Sequence, residues 1–341
     1  MPPKDPRQYV WTIDTIAYPG SFQTNMSDIW GSSPSNVFIV GHNDQGLGLM
    51  WRFDGTKWAN VKLVASEGGN ITEAINLSAV FGSGPNDIWA VGMTLDINPH
   101  PPPFFADSSL IIHFDGIQWR EQKIQRGGAL WSISGCDPQE MWASGSEGTI
   151  YHYNGTSWAR DSSPIPIISS ARQELGDIRV KNRAEAYVLG SNTPISGDTS
   201  FGNLATFYFL SKANQQWSIA GSYSFHSGQT GDRFGLYGLW LSPNGALYSF
   251  DSGVFRWTGS GWINVYQTSS ALRRIAGVDD NNFFVVGDFG KVIHYNGVDW
   301  YEFFSLKNQN VVYSSAWTDG REVFVVGYLN NGSKTILLHG K

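Results

Sequence analysis

Apolar residues in this chain come in bursts of four or five, rich in valine, isoleucine and aromatics, with polar punctuation between them. Val37-Phe38-Ile39-Val40, Ile88-Trp89-Ala90-Val91 and Phe283-Phe284-Val285-Val286 each end on a glycine and each follow a cluster of Pro, Asn or Asp. Runs this short, β-branched and bounded by turn formers predict strands. A second phrase recurs further on: a small turn, often Asp-Gly or Asn-Gly, then Trp58, Trp119, Trp158, Trp217, Trp262 or Trp300. These tryptophans stand 38 to 61 residues apart, a spacing of structural repeats.

Each repeat holds four apolar runs, here strands A to D. Unit one gives Ile29-Trp30-Gly31, Val37 to Gly41, Met50 to Phe53 and a run through Trp58. Unit four is degraded but keeps Ile178, Ala186 to Gly190 and Trp217. Asp-Gly and Asn-Gly tolerate the positive φ of a two-residue hairpin, which places them between C and D. Strands apolar on both faces need a neighbour on both faces. Stacking four-stranded antiparallel sheets around an axis supplies one, so the expected fold is an all-β, seven-bladed β-propeller. Unit seven, residues 311–341, lacks a strand D, while residues 9–16, with Trp11, form a strand D without a unit. The expectation is a single domain over 9–341, preceded by a linker at 1–8, with the N-terminal strand completing the last blade.

Composition supports this and narrows the function. Among 341 residues, 15% are charged and 14% aromatic, with 39 glycines, a mixture suited to short strands and tight turns. Net charge is −6 and no Lys/Arg run exists to neutralise a phosphate backbone, so nucleic acid is not an expected partner. The single cysteine, Cys136, excludes an internal disulfide and a thiolate metal site. No apolar run approaches the roughly 18 residues of a membrane span. The opening Met-Pro-Pro-Lys-Asp-Pro is no signal peptide. An extracytoplasmic location, secreted or surface-anchored, is expected, with the export segment absent from this chain.

Ile88-Trp89-Ala90-Val91-Gly92 and Tyr153-Asn154-Gly155-Thr156-Ser157-Trp158 resemble the repeat of bacterial seven-bladed propeller proteins of the secreted or surface-lipoprotein kind. More distantly, the turn-then-Trp resembles kelch repeats, Asp-box propellers and photosystem II assembly-factor-like propellers. The Asp-box has one residue between Asp and Gly, which Asp54-Gly55 and Asp115-Gly116 lack, so sialidase chemistry is not carried over. The resemblance spans almost the whole chain; it implies the fold and little about function.

Comparing repeats separates scaffold from site. His113, His152, His294 and His339 all end strand C, and Phe38, Trp89, Trp142, Tyr187, Tyr248, Phe284 and Phe324 form an aromatic column in strand B. Both sets are expected to be scaffold. The A–B and C–D turns are short, whereas the D–A and B–C connections (62–76, 92–109, 160–174, 191–204, 221–235) are long and share the other face, the default place for binding. Strand A is innermost, so its entry residues should ring the channel mouth on that face. There the blades disagree, offering Asp28, Trp131, Asp177, Tyr237, Arg273, Arg274 and Tyr313 as candidate ligand-binding residues. Aromatics and arginines at one mouth suit a sugar or a carboxylate. The alternative reading simply pairs Asp28 and Asp177 with Arg273 and Arg274. Loop candidates are His100, Phe104, His226, Arg233 and Phe289.

Catalytic motifs are scarce. No Gly-x-Ser-x-Gly, His-Glu-x-x-His, phosphate loop or EF-hand loop occurs. Asp279-Asp280-Asn281-Asn282 fills a structural turn position, and Cys136 has no activating His beside it. No cofactor or metal is expected, and a monomer is. The first hypothesis is therefore a non-enzymatic binding propeller with a glycan or protein ligand on the loop-rich face. The alternative is a glycoside hydrolase or lyase using Asp28 and Asp177, and a third is pure scaffold.

Overall fold

The computed structural model describes residues 5–46, 49–65, 68–69, 71, 74–96, 106–125, 127–195, 205–224 and 233–341. Seven antiparallel sheets form an all-β, seven-bladed propeller, each blade ordered A-B-C-D from the axis outward. In blade one these strands are Thr24–Ser33, Asn36–Asn43, Met50–Phe53 and Trp58–Asn60. The innermost strands of blades two to seven are Ala74–Gly84, Leu130–Asp137, Ala171–Asn182, Gly238–Leu241, Leu272–Asp279 and Val311–Thr318. Blade two gains a fifth strand, Leu63–Val64, lying parallel to its outer edge at Trp119 and Arg120.

The ring closes as the sequence predicts. Trp11–Ile16 pairs antiparallel with Thr335–Gly340, from Trp11 opposite Gly340 to Ile16 opposite Thr335. The residues before it are more than a linker. Pro6–Gln8 forms a 3-10 turn, and Arg7 reaches back to blade six, 2.6 Å from Asp299 and over the Tyr301 ring. Trp11 meets Phe303 edge-on at 5.2 Å. The chain's two ends thus hold blades six and seven together, and no blade presents an open face at the join.

Between blades the packing is aromatic and directional. The strand-B ring of one blade meets the closing tryptophan of the next edge-on: Phe38 with Trp119, Trp89 with Trp158, Trp142 with Trp217, at 5.6, 5.5 and 5.7 Å. Truncating such a buried tryptophan to alanine costs about 3–5 kcal/mol. The strand-C histidines lie on the same rings. His113 stacks on Trp89 and bonds Asp87, His152 stacks on Trp142 and bonds Glu140, and His339 stacks on Phe324 and bonds Glu322. His294 contacts Phe284 and Asn282, and burial pushes its imidazole down to about 4.

The C–D turns differ from expectation in length. Phe53 pairs directly with Trp58, so residues 54–57 form a four-residue loop in place of a two-residue hairpin. The Asp54 carboxylate accepts the backbone N–H groups of Thr56 and Lys57; Asp115, Asn154 and Asn296 do the same in their blades. Only the glycine takes positive φ, +96° at Gly55. The acidic or amide side chain acts as a surrogate backbone acceptor, which needs the extra residues.

Strand A carries a rule linking neighbouring blades. Its lumen column reads Trp30, Phe81, Ser134, Arg179, Trp240, Ala276 and Trp317. The residue that follows this column in the next blade round is Gly82, Gly135, Val180, Leu241, Gly277, Thr318 and Gly31. Every aromatic ring precedes a glycine, and no other residue does. At two of the four the cause is the ring itself: a Cβ on Gly82 would lie 2.5 Å from the Trp30 ring, and one on Gly31 would lie 3.0 Å from Trp317. Gly135 and Gly277 are hemmed in first by Met141 and Phe283 of their own blades.

Two outcomes follow from closure and from this rule. Deleting residues 1–16 should lower the melting temperature of the whole propeller in one cooperative transition; a truncated chain that melts like the intact one refutes the closure. Gly82→Ala should destabilise by about 1–3 kcal/mol, the usual cost of overpacking, in chemical denaturation. Gly84→Ala, where nothing lies within 4 Å of the added methyl, is the control and should change little.

Candidate functional site

Strand A does not run straight into the channel mouth. The pairing register with strand B slips between Met26 and Asp28, Leu77 and Ala79, Leu130 and Ser132, Leu175 and Ile178, Leu272 and Arg274, and Tyr313 and Ser315. Such a bulge inserts one unpaired residue and re-aims the side chains around it. It sorts the entry residues into two columns. The bulge column, Ser27, Ser78, Trp131, Gly176, Tyr237, Arg273 and Ser314, lies at the rim of the loop-rich face. The next column, Asp28, Ala79, Ser132, Asp177, Gly238, Arg274 and Ser315, turns to the axis.

On the axis the second column forms a compensated ionic cluster. Arg274 holds Asp28 at 2.6 Å through Nη2, reaches both Asp177 oxygens at 3.4 Å through Nη1, and donates from Nε to Ser315 at 3.1 Å. Arg179 adds a second guanidinium, donating to Asp177 at 3.0 Å and to the Ile178 carbonyl at 2.7 Å. The backbone N–H of Val80 donates to Asp28 and that of Leu239 to Asp177, each at 3.0 Å. Ser132 donates to Asp177, accepts from the Ile178 N–H, and Ser315 donates to Asp28. All four carboxylate oxygens are therefore bonded, and the cluster touches a residue of every blade.

The electrostatics follow from burial and pairing. Burial works to raise the Asp177 carboxyl, but Arg179 and Arg274 overcome it and hold the group below its ordinary value. Burial likewise opposes charge on Arg274, and Asp28 and Asp177 more than restore it, lifting its pKa. Burial wins at Arg179, which falls below the usual arginine value despite Asp177. Two acids and two bases cancel, so the cluster carries no free charge for a substrate. The pairing alternative considered for Asp28 and Asp177 is realised through Arg274, with Arg179 as the second partner of Asp177 and Arg273 taking no part.

Arg273 goes elsewhere. Its guanidinium makes a two-pronged bond to Asp288, at 2.8 and 3.1 Å, and lies 5.3 Å over the Tyr237 ring. Tyr237 is 57% exposed, and Phe289, beside Asp288 with φ +62°, is 45% exposed. Trp131 sits on the same rim and donates from Nε1 to Glu174 at 2.9 Å. Arg233 bonds Ser252 and lies over Phe255.

Tyr313 corrects the alignment. It is no mouth residue: it is 2% exposed in the core between blades six and seven, and burial alone pushes its phenol up to about 12. Its partner across the sheet is Gly327, just as Met26 faces Gly41, so it occupies the apolar position that precedes the bulge, one place before the mouth. His100, Phe104 and His226 lie outside the described residues. Sequence comparison missed Arg179, although it is the one charged residue in the otherwise apolar or small lumen column. It also missed Ser132 and Ser315, whose hydroxyls carry no pattern of their own. Among the described residues no cluster of His, Cys, Asp and Glu could hold a metal ion. No helix is long and apolar enough to cross a membrane.

Breaking this cluster has a pH signature. Asp177 is more acidic folded than unfolded, so its stabilisation is fully present above the unfolded carboxyl value of 3.8 and is lost as pH falls through the lower folded value. Asp177→Asn should lose several kcal/mol of stability near neutral pH and show a flatter stability curve below pH 3.8. Equal acid slopes for the two proteins in denaturant titrations would refute this assignment.

No protein-family model matches the chain, and no curated protein matches it. Solved structures do. One, YCF48 bound to D1 peptide, superposes with a TM-score of 0.61 at 15% identity over 96% of each chain. Another, YCF48 from Cyanidioschyzon merolae, gives 0.57 at 14% identity, covering 96% of this chain and 98% of that one. These likenesses match the photosystem II assembly-factor-like resemblance seen in the repeat and do not touch the surface-lipoprotein one. At such identity they establish a shared seven-bladed fold.

Proposed function

We propose that this chain is a non-enzymatic binding propeller, working outside the cytoplasm, that holds an extended protein segment on its loop-rich face. The observation that carries the reading is the division made by the bulge. The two acids an enzyme would need are locked by Arg274 and Arg179, while Tyr237 and Arg273 stand together on the rim, with Phe289 beside Asp288. Exposed aromatic rings and a preoriented guanidinium are the commonest anchors of protein interfaces. A peptide-bound neighbour of the same fold is consistent with this use. The extracytoplasmic location rests on the sequence resemblance and the near absence of cysteine.

Arg273 is held by Asp288 and cannot swing freely, so ordering it on binding costs little entropy. An acidic or carboxylate-bearing segment beside an aromatic side chain fits this surface best. A glycan would use the same ring faces, and an array carrying both classes separates the two.

Selection from a random-peptide display library should yield binders that lose about tenfold affinity in Tyr237→Ala and again in Arg273→Ala. Binders indifferent to both changes would place the site elsewhere. Glycan turnover abolished by Asp28→Asn would instead establish the enzyme.

A further inference from the structure

Beyond the ionic cluster the channel does not close. It widens into a cavity of about 390 Å³ whose lining runs from Asp28 and Arg274 to Pro243 and Thr318 at the ends of strand A. The cavity therefore opens among the short A–B turns, at the opposite end from Tyr237 and Arg273. Its walls include the half-buried rings of Trp30, Phe81 and Trp317, while Trp240 packs back on Tyr248 and Phe283, and Ser134 and Ala276 leave space between them. A volume at the low end of the range for ligand pockets suits a small molecule or the end of a chain.

The chemistry of floor and walls narrows the ligand. The floor is the neutral cluster, in which the carboxylates and the hydroxyls of Ser132 and Ser315 are already bonded, leaving the remaining N–H groups of Arg179 and Arg274 as donors. An entering anion meets two buried carboxylates, and an entering cation meets two guanidiniums. Either ion gives up its hydration for a field that largely cancels. Aromatic walls would otherwise favour a quaternary ammonium, but here the two arginines oppose it. A neutral molecule with hydroxyls on its edges and flat C–H faces meets no such penalty. It can hydrogen-bond to the floor while its faces lie against indole.

We infer that this end of the channel binds one or two neutral pyranose units of a sugar, independently of the protein segment on the other face. The rings supply contact area and shape; the N–H groups that Arg179 and Arg274 have left over from the cluster supply the polar recognition. Blade three contributes only Ser134 between Phe81 and Arg179, so the sugar lies in the gap there, against the Phe81 ring and within reach of the Arg179 guanidinium.

The test uses the full chain with maltose, cellobiose and lactose as neutral probes, and glucuronate, glucosamine and choline as charged ones. Tryptophan fluorescence and calorimetry read the binding. At least one neutral disaccharide should bind saturably below about 10 mM, with the charged probes at least about tenfold weaker. Phe81→Leu, which removes one half-buried wall ring and keeps apolar bulk in its place, should weaken that binding about tenfold while the protein still unfolds in one cooperative transition. Tyr237→Ala should leave it unchanged. Failure of every neutral sugar to bind, equal binding of choline or glucuronate, or binding that survives Phe81→Leu in a folded protein would each overturn the inference. Peptide binding retained in the same preparation would show that only this site, and not the protein-binding face, had failed.

Discussion

Arg274 sits where seven blades meet, and among the described residues its bonds to Asp28 and Asp177 cross the ring past the neighbouring blade. Packing in a propeller is otherwise between neighbours, each blade seeing only the one before and the one after. The guanidinium bonds Asp28 of blade one, Asp177 of blade four and Ser315 of blade seven from its own place in blade six. Backbone N–H groups of blades two and five and the hydroxyl of Ser132 in blade three complete the shell. Desolvating four charges is expensive, so the cluster need not add net stability over an apolar plug. Losing one member is a different matter. It leaves a buried charge unpaired, at a cost of about 3–5 kcal/mol. The cluster therefore fixes how blades one, four and six face one another, and it removes Asp28 and Asp177 from any acid–base role.

The neighbour contacts obey a grammar just as strict. Each strand-A ring leans on the following blade, and a glycine there makes room; where Val180, Leu241 or Thr318 stands instead, the preceding blade carries serine, arginine or alanine. Arg179 thus enters the axis at a place where a ring would not fit, and it supplies the second positive charge that the two acids need. Steric fit between neighbours and charge balance across the ring are solved by the same residue. At the outer edge the closing tryptophans make the complementary contact, and in the last blade Trp11 instead meets Phe303, which stacks in turn on the strand-B ring of Phe284.

The repeat made most of this fold readable. Strand order, blade number and closure through Trp11 follow from matching units, because the same packing problem is solved seven times. What escaped was register at the resolution of one residue. A bulge adds a residue without altering composition or periodicity, so Tyr313 was aligned one place too far toward the mouth. The C–D turns misled in a similar way: Asp-Gly suggests a two-residue hairpin, yet the carboxylate caps two N–H groups and needs four residues to do it. Pairing of Asp28 with Arg274 was open to guesswork. The share of Arg179, 151 positions from Asp28, was not, since nothing local marks a long-range ion pair.

That inserted residue also explains how one short segment serves two masters. Because it shifts alternation, adjacent side chains in strand A diverge, one to the rim and one to the axis. The axial column answers to the whole ring and tolerates little. The rim column answers only to its surroundings, and it is small in blades one, two, four and seven, where Ser314 even turns back to bond the carbonyls of Met26 and Val326. It is large in blades three, five and six. Tyr237 and Arg273, of adjacent blades, therefore stand together on the mouth with Phe289 next to Asp288, while Trp131 stands two blades away from Tyr237. A lopsided surface of this kind cannot be a requirement of a symmetric scaffold. Its asymmetry is the strongest physical reason to assign it to a ligand.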